Sequence, residues 1–274
     1  MIIICTGIRR ERTAHCRRLP AVLIAAALAV VPLAGCSSLA PVNTQEARVL
    51  HLTIDSRLVH GAMPLTLVTP AGGGAHRPLL VFLHGVHSLG YDNNSQLTDQ
   101  MFAALHTLGP RAPDIAFPYG DASYWVNSAD GAWASYVLHE VIPKALTVLN
   151  ADPRRVAIGG ISMGGYGAYT IARLDPGRFC AVGGHSAAIG TLGGAPASTS
   201  DVIAAATVNP KLDGRAQLWL DVGAQDPFLG ADQQLANALH IHLHVWPGGH
   251  DFGYWNAHWS DYLGFYAQAL ATCG

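Results

Sequence analysis

The chain's clearest chemical feature is the segment GISMG at residues 160–164, in which Ser162 lies between two glycines. This spacing suits a sharp turn between a strand and a helix, which lifts a serine hydroxyl clear of a sheet. The apolar run RRVAIGGIS predicts the strand, and MGGYGAYTIARLD predicts the helix. The predicted chemistry is attack by the Ser162 oxygen on an electrophilic carbon. The amide of Met163, at the helix N-terminus, is the first predicted donor to the resulting oxyanion.

A serine hydroxyl is a weak nucleophile, so this chemistry needs a base and a third group that orients the base. After a turn of this kind the partners follow in the order serine, acid, histidine. Asp226 lies in the loop after the predicted strand QLWLDVG, and His250 follows the last predicted strand, IHLHVWPGG. Asp221 is the rival acid, but it falls inside a strand, and Asp251 follows His250 directly, so its side chain would point elsewhere. We therefore predict Asp226 and His250 as the partners of Ser162.

A second oxyanion donor is expected in FLHGVHS, which ends the first long buried strand. An HG turn there can aim the next amides at the serine. Val86 is the first candidate and His87 is the alternative. His87 is also a candidate substrate contact, and His84 can brace the turn.

Three further residues are candidate substrate contacts. Tyr124 and Trp125, in YGDASYWVN, follow a strand end on the side where the serine should lie, and they line an acyl or aromatic pocket or simply pack within a loop. His185, in GGHSAA, lies either near the mouth of the site or in the structural core. The sequence leaves both pairs of alternatives open.

The segment HIHLH places His240, His242 and His244 at a spacing of two, which could hold zinc on one face of a strand. A strand with one polar face, and with Leu243 and Val245 facing inward, explains the same spacing more simply. We therefore predict no metal site.

Strands and helices alternate along the chain. Two antiparallel strands are predicted over RVLHLTID and MPLTLVTP, followed by a buried strand over RPLLVFLHG and a helix over SQLTDQMFAALHTLG. Further strand and helix patterns alternate to a last helix over YWNAHWSDYLGFYAQAL, and residues 188–215, rich in Gly, Ala, Ser and Thr, predict an excursion over the surface. This alternation predicts an α/β fold with a mostly parallel sheet.

The N-terminus has the pattern of an export signal. Five arginines precede the apolar run LPAVLIAAALAVVPLA, and LAGC closes it with small residues before Cys36. The order resembles a bacterial lipoprotein signal, which implies cleavage before Cys36 and lipid on its sulfur, and so membrane attachment at the cell envelope. We predict a signal peptide over residues 1–35, a flexible tether over 36–46 and a catalytic domain over 47–274.

Composition narrows the functional classes. The chain has 16 Lys and Arg against 18 Asp and Glu, and removal of the leader leaves 11 against 17. No basic run remains, so a nucleic-acid partner is not expected. Only 12% of the residues are charged, against about 25% typically, which suits a sheet covered on both faces. Of the five cysteines, the leader and lipidation leave Cys180 and Cys273, which form either a disulfide or two buried thiols.

The segments FLHG, GISMGG, GAQDPF and GGHDFGYWNAHWSDYLGFYA together resemble the putative-esterase family of α/β-hydrolases over roughly residues 47–272. That family includes S-formylglutathione hydrolases, feruloyl esterases and secreted mycolyltransferases. The resemblance implies an α/β-hydrolase fold, with helices on both faces of the sheet. It also implies Ser162 as nucleophile, Asp226 and His250 as partners, and the Val86 and Met163 amides as oxyanion hole.

We therefore expect an exported, lipid-anchored serine esterase that acts on a small-molecule or lipid ester and needs no cofactor. Two alternatives are an acyltransferase that passes the acyl group to an envelope glycolipid, and a non-catalytic envelope-binding lipoprotein. The acyl and alcohol groups of the substrate are not evident from the sequence.

Overall fold

The computed structural model describes residues 42–72, 74–189 and 216–273. The predicted signal peptide, Cys36, most of the tether and most of the predicted surface excursion over 188–215 lie outside the described residues. Within the described ranges, no helix combines the length and apolar character needed to cross a bilayer.

An eight-stranded sheet forms the centre of the fold, in the order β1-β2-β4-β3-β7-β8-β9-β10. The first two strands pair antiparallel, β2 pairs antiparallel with β4, and every later neighbour is parallel. The mostly parallel α/β sheet predicted from the alternation of elements is therefore confirmed. The eight strands are β1 (Arg48–Ser56), β2 (Gly61–Thr69), β3 (Leu79–Leu83), β4 (Asp114–Pro118), β7 (Val156–Ile161), β8 (Ala181–His185), β9 (Gln217–Gly223) and β10 (Leu243–Trp246).

Helices cover both faces of the sheet. Strand β3 explains how, because all five of its residues are buried and successive side chains enter two different cores. Leu79, Val81 and Leu83 pack in one core with α4 (Met163–Leu174), while Leu80 and Phe82 pack in the other with α1 (Asp99–Leu108) and α7 (Trp259–Thr272). The helices are α1 (Asp99–Leu108), α2 (Trp133–Tyr136), α3 (Ile142–Leu149), α4 (Met163–Leu174), α5 (Leu229–Leu239), α6 (Phe252–Ala257) and α7 (Trp259–Thr272).

Three local features differ from the sequence prediction. A π-turn over Val137–Val141 separates α2 from α3 just before Pro143, where a kink is predicted. A two-stranded hairpin, β5 (Asn127–Ser128) with β6 (Gly131–Ala132), is not anticipated. The last predicted helix is two helices, because α6 ends at Ala257 and α7 begins at Trp259.

The HIHLH segment is also arranged differently. His240 ends α5 in a left-handed conformation, with φ of 55°, so it does not belong to the strand with His242 and His244. Val245 does not face inward: 44% of it is exposed, because β10 is the edge strand, and Leu243 is the one residue of this strand that is buried. His244 instead stacks on Trp219, with ring centroids 3.9 Å apart. No group of three or more His, Cys, Asp or Glu that could hold a metal ion is found among the described residues.

Two features of the sheet bear on stability. A disulfide joins Cys180, just before β8, to Cys273, just after α7, across 93 positions of sequence. Asp114, the first residue of β4, is 1% exposed. Burial, only partly opposed by the nearby Arg77, raises the pKa of Asp114 to about 6.

Candidate active site

Ser162 lies at the turn between β7 and α4, as its flanking glycines predict. Its backbone has φ of 52° and ψ of −119°, a conformation that is rare for a residue with a side chain. The turn is tight because α4 begins directly over the end of β3. A Cβ on Gly160 would lie 2.5 Å from the carbonyl oxygen of Leu83, and one on Gly164 would collide with the same group. The glycines therefore allow the close approach that this serine turn requires.

The structure brings Ser162, His250 and Asp226 into one hydrogen-bonded chain. The Ser162 hydroxyl donates to Nε2 of His250 over 2.8 Å, and Nδ1 of His250 donates to Oδ2 of Asp226 over 2.9 Å. The three residues come from three different loops at the carboxyl ends of β7, β9 and β10. This arrangement suits proton transfer from serine to imidazole, with the carboxylate holding the imidazole in the required tautomer.

The environment keeps Asp226 ionised. Burial acts to raise the pKa of its carboxyl group, but hydrogen bonds from His250 and from the Phe228 amide outweigh burial, so the pKa lies below its usual value. The Phe228 amide donates to Oδ1 over 2.8 Å, so both carboxylate oxygens accept a hydrogen bond. A negative charge therefore lies beside the ring nitrogen that is remote from Ser162.

Two aromatic rings hold the imidazole of His250 in place. Phe228 lies 4.9 Å from it and Trp255 lies 5.0 Å from it, measured between ring centroids. Neither residue was among the predicted site residues. Both lie within five residues of a predicted site residue and inside the segments GAQDPF and GGHDFGYWNAHWSDYLGFYA, and this placement is the signal that could have found them.

The two predicted oxyanion donors lie on either side of the Ser162 turn. Met163 is the first residue of α4, so its amide has no acceptor within the helix. On the other side, a Cβ on Gly85 would lie 3.4 Å from Cβ of Ser162, which places the HG turn against the serine. The His87 amide donates to the Asp121 carbonyl over 3.3 Å, whereas none of the described groups accepts a hydrogen bond from the Val86 amide. Of the two candidates, the geometry leaves Val86 available.

His84 braces the HG turn, as expected. Its Nδ1 donates to the Gly85 carbonyl over 2.6 Å, and its Nε2 accepts from the Gly120 amide over 2.9 Å. Burial lowers the pKa of His84 to about 4, so the ring is neutral near pH 7 and can make both bonds at once. The turn is thereby tied to the loop that follows β4.

The candidate substrate contacts divide into exposed and buried residues. His87 is exposed, whereas Tyr124 is 7% exposed and borders a cavity of about 440 Å³. Trp125 and His185 are fully buried, which favours packing over substrate contact, the alternative that the sequence left open for each. Trp125 fills the space beside Gly120 and Gly167. A Cβ added to Gly167 would lie 2.5 Å from Cβ of Trp125, and one added to Gly120 would collide with the Trp125 ring.

His185 lies in the core beneath the site, not at its mouth. Its Nδ1 donates to Asp221 over 2.6 Å, and its Nε2 accepts from the Tyr266 hydroxyl over 2.9 Å. The ring of Tyr262 stacks on the face of the His185 imidazole, with ring centroids 3.7 Å apart. The partners come from β9 and α7, which are distant in sequence, and they account for both ring nitrogens.

The cavity beside Tyr124 is lined mainly by the loop after β4. This loop includes Asp121, whose carbonyl accepts the hydrogen bond from the His87 amide. The Tyr124 ring contacts Tyr166, one helical turn after Ser162, at a centroid distance of 6.0 Å. The lining side chains include aromatic, hydroxyl and carboxyl groups; they are Asp121, Ala122, Ser123, Tyr124, Val126, Ser128, Asp130 and Trp133.

Comparisons with known proteins agree on one family. The family model described as "Putative esterase" matches residues 57–266. An S-formylglutathione hydrolase of Mus musculus is 27% identical over 190 residues, which cover 58% of this chain and 67% of that protein. A ferulic acid esterase has a similar structure, with a TM-score of 0.72 at 19% identity over 82% of this chain and 98% of that one.

A second solved structure adds to this likeness. It is FphF, one of the fluorophosphonate-binding serine hydrolases of Staphylococcus aureus. Its TM-score is 0.66 at 18% identity over 81% of this chain and 98% of that one. The structural likeness confirms the α/β-hydrolase fold implied by the sequence resemblance.

Proposed function

Because the chain belongs to the putative-esterase family and is a carboxylic ester hydrolase, we propose that it cleaves esters through an acyl-enzyme on Ser162. The observation that carries this proposal is the unbroken hydrogen-bonded chain from Ser162 through His250 to Asp226. In this proposal Ser162 is the nucleophile, His250 is the general base and acid, and Asp226 orients the imidazole.

In the first step, Nε2 of His250 takes the proton of the Ser162 hydroxyl while the oxygen attacks the ester carbonyl carbon. The carbonyl oxygen gains negative charge and accepts hydrogen bonds from the Val86 and Met163 amides. Nδ1 of His250 keeps its bond to Asp226, whose charge stabilises the imidazolium. The imidazolium then protonates the leaving alcohol, and the acyl group stays on Ser162.

In the second step, a water molecule takes the place of the alcohol. His250 accepts a proton from that water, which attacks the acyl carbon, and the same oxyanion donors stabilise the second tetrahedral intermediate. Collapse of the intermediate returns the proton to Ser162 and releases the acid. The reaction balances with water as the only co-reactant, so no cofactor takes part.

The substrate we propose is a small-molecule or lipid ester with an aromatic or hydrocarbon group in the cavity beside Tyr124. The rings of Tyr124 and Trp133 line that cavity and supply apolar surface for such a group. His87 is exposed at the end of the oxyanion turn, where it can contact polar atoms of the substrate.

An acyltransferase reaction is the alternative for the same acyl-enzyme, with a sugar or glycolipid hydroxyl replacing water. Product that forms only when an acceptor is added would favour the transferase. Product that forms in buffer alone favours the esterase, and the absence of any covalent turnover would favour the non-catalytic binding protein.

The test is a panel of esters graded by acyl chain length, with one feruloyl ester, assayed with the wild type and with Ser162→Ala. We expect hydrolysis by the wild type and its loss in Ser162→Ala. Ser260→Ala is the matched control, because Ser260 is exposed on the first turn of α7 and should leave the rate unchanged. Hydrolysis by Ser162→Ala at more than a small fraction of the wild-type rate would contradict the nucleophile assignment.

We further propose that the protein is exported and anchored by lipid on Cys36, at the outer face of the cytoplasmic membrane or in the periplasm or outer membrane. The order of charge, apolar core and LAGC supports this. The Cys180–Cys273 disulfide also supports it, because disulfides persist mainly in oxidising compartments. Mass spectrometry of the mature protein should find lipid-modified Cys36 as the first residue. An unmodified Cys36, or a mature protein that keeps residues 1–35, would contradict the proposal.

A further inference from the structure

A second hydrogen-bonded cluster, which the proposed reaction does not use, lies beneath the site around the carboxyl group of Asp221. Oδ1 accepts from Nδ1 of His185 at 2.6 Å and from Nε1 of Trp219 at 2.8 Å. Oδ2 accepts from the hydroxyls of Tyr254 at 2.9 Å and Tyr262 at 3.1 Å. Asp221 thus receives four donors although it is fully buried.

Burial excludes this cluster from direct chemistry on a substrate. Asp221 and His185 have no exposed surface, and Tyr254 and Tyr262 are almost completely buried. Burial first, and then the neighbouring Asp221, raises the pKa of Tyr254, so its hydroxyl stays a proton donor. Any effect of the cluster on ester cleavage must therefore pass through the elements that it holds.

One of its four donors belongs to the element that carries His250. Helix α6 begins two residues after His250 at Phe252, and Tyr254 lies on this helix. Its hydroxyl bond to Asp221 ties the helix to β9. The next residue, Trp255, contacts the imidazole of His250 at 5.0 Å. Movement of α6 would therefore move a ring that holds His250.

The ring of Tyr254 also supports the chain that enters His250. Gly248, two residues before His250, has φ of 138°, and a Cβ there would lie 2.7 Å from Cδ2 of Tyr254. The ring thus packs directly on the backbone of the His250 loop. On the opposite side, the Gly248 amide donates to the side chain of Gln225, next to Asp226.

Tyr262 offers a natural comparison. Its hydroxyl donates to the same oxygen of Asp221 at nearly the same distance, but it lies on α7, twelve residues after His250. Its ring stacks on His185 in the core, with centroids 3.7 Å apart, and its backbone amide donates to the carbonyl of His258 between α6 and α7. Both tyrosine hydroxyls therefore donate to Oδ2 of Asp221, but the bond of Tyr254 ties α6 to β9, whereas the bond of Tyr262 ties α7 to β9.

We propose that Tyr254 is a positioning residue for His250: its hydroxyl, anchored on Asp221, fixes α6 and the His250 loop so that Nε2 stays within hydrogen-bond reach of Ser162. This proposal rests on the role assigned to His250 under the proposed function. A small displacement of the imidazole weakens proton transfer without changing the cavity that binds the substrate.

The experiment compares Tyr254→Phe with Tyr262→Phe, each of which removes one hydroxyl from Oδ2 of Asp221. We expect kcat of Tyr254→Phe to fall about tenfold with KM within about twofold of the wild type. We expect kcat of Tyr262→Phe to stay within about twofold, although the melting temperatures of both variants fall. The rate of labelling by a fluorophosphonate should follow kcat, because it reports the Ser162–His250 pair without substrate binding.

A surface variant keeps the test decisive if a buried change prevents folding. Asp251 caps α6 by accepting from the Tyr254 amide over 3.0 Å, so Asp251→Ala loosens the same helix from outside the core. A smaller fall in kcat, again without a change in KM, is expected. Equal kcat in Tyr254→Phe and Tyr262→Phe overturns the proposal, and so does an unchanged kcat in Asp251→Ala if Tyr254→Phe does not fold. An active Ser162→Ala would instead overturn the proposed function, so the two failures are distinguishable.

Discussion

Removal of the Cys180–Cys273 disulfide should destabilise the protein strongly, because the bridge closes a long loop. The two cysteines are 93 positions apart. In the chain-entropy model, a loop of this length restricts the unfolded chain by about 4.6 kcal/mol at 25 °C. For a domain of this size each kcal/mol corresponds to about 2–4 °C in Tm, so we expect a fall of about 9–18 °C.

The assay is thermal unfolding followed by circular dichroism, for the wild type with and without reductant and for the double variant Cys180→Ala/Cys273→Ala. Reductant should lower the Tm of the wild type to about that of the double variant and should leave the double variant unchanged. Thiol titration confirms that reduction is complete. A fully reduced wild type that melts within about 2 °C of the oxidised protein would refute the reasoning.

Three further predictions concern the site and the sheet. Asp226→Asn should lower kcat/KM about 10⁴-fold and Asp221→Asn much less, in steady-state assays; the reverse ranking would make Asp221 the acid. Asp114 keeps a proton in the folded protein up to about pH 6 but releases it near 3.8 when unfolded, so stability should fall as pH rises through that window, by up to about 3 kcal/mol. Asp114→Asn should remove this loss in denaturation curves at pH 4 and 8, and an equal pH dependence in both proteins would contradict the burial argument. Gly164→Ala, which collides with the end of β3, should destabilise by about 1–3 kcal/mol or more, whereas Gly230→Ala, in open space on α5, should not destabilise; similar melting of the two variants would contradict the packing argument.

Local patterns predict much of the fold. The run around β3 is apolar throughout because both of its faces are buried, and GISMG marks the turn after β7 because only glycine fits beside the end of β3. The edge of the sheet is harder to predict. Val245 is as apolar as a core residue, but β10 has a neighbour on one side only, so spacing by two does not bury it.

The position of a site residue can be predicted where the order of residues along the chain constrains it. It cannot be predicted where it depends on packing between residues that are distant in sequence. Ser162, Asp226 and His250 follow the order expected for a serine turn, and the structure brings them together. His185 also follows a strand end, as a site residue does. Its place in the core depends on Asp221 and Tyr266, which no local pattern connects to it.

The disulfide illustrates the same limit. The sequence supplies two cysteines but not their distance, and only the packing of α7 beside the start of β8 brings Cys273 to Cys180. The aromatic support of His250 by Phe228 and Trp255 likewise depends on how α5 and α6 begin, which composition alone does not specify.

The most direct test of the central proposal is covalent labelling with a fluorophosphonate, followed by digestion and mass spectrometry. The reagent needs an activated serine, so it tests the nucleophile without any assumption about the natural ester. We predict a single phosphonylated serine at Ser162, formed rapidly in the wild type, slowly in His250→Ala and not at all in Ser162→Ala. Labelling at another serine, or undiminished labelling of Ser162→Ala, would contradict the proposal.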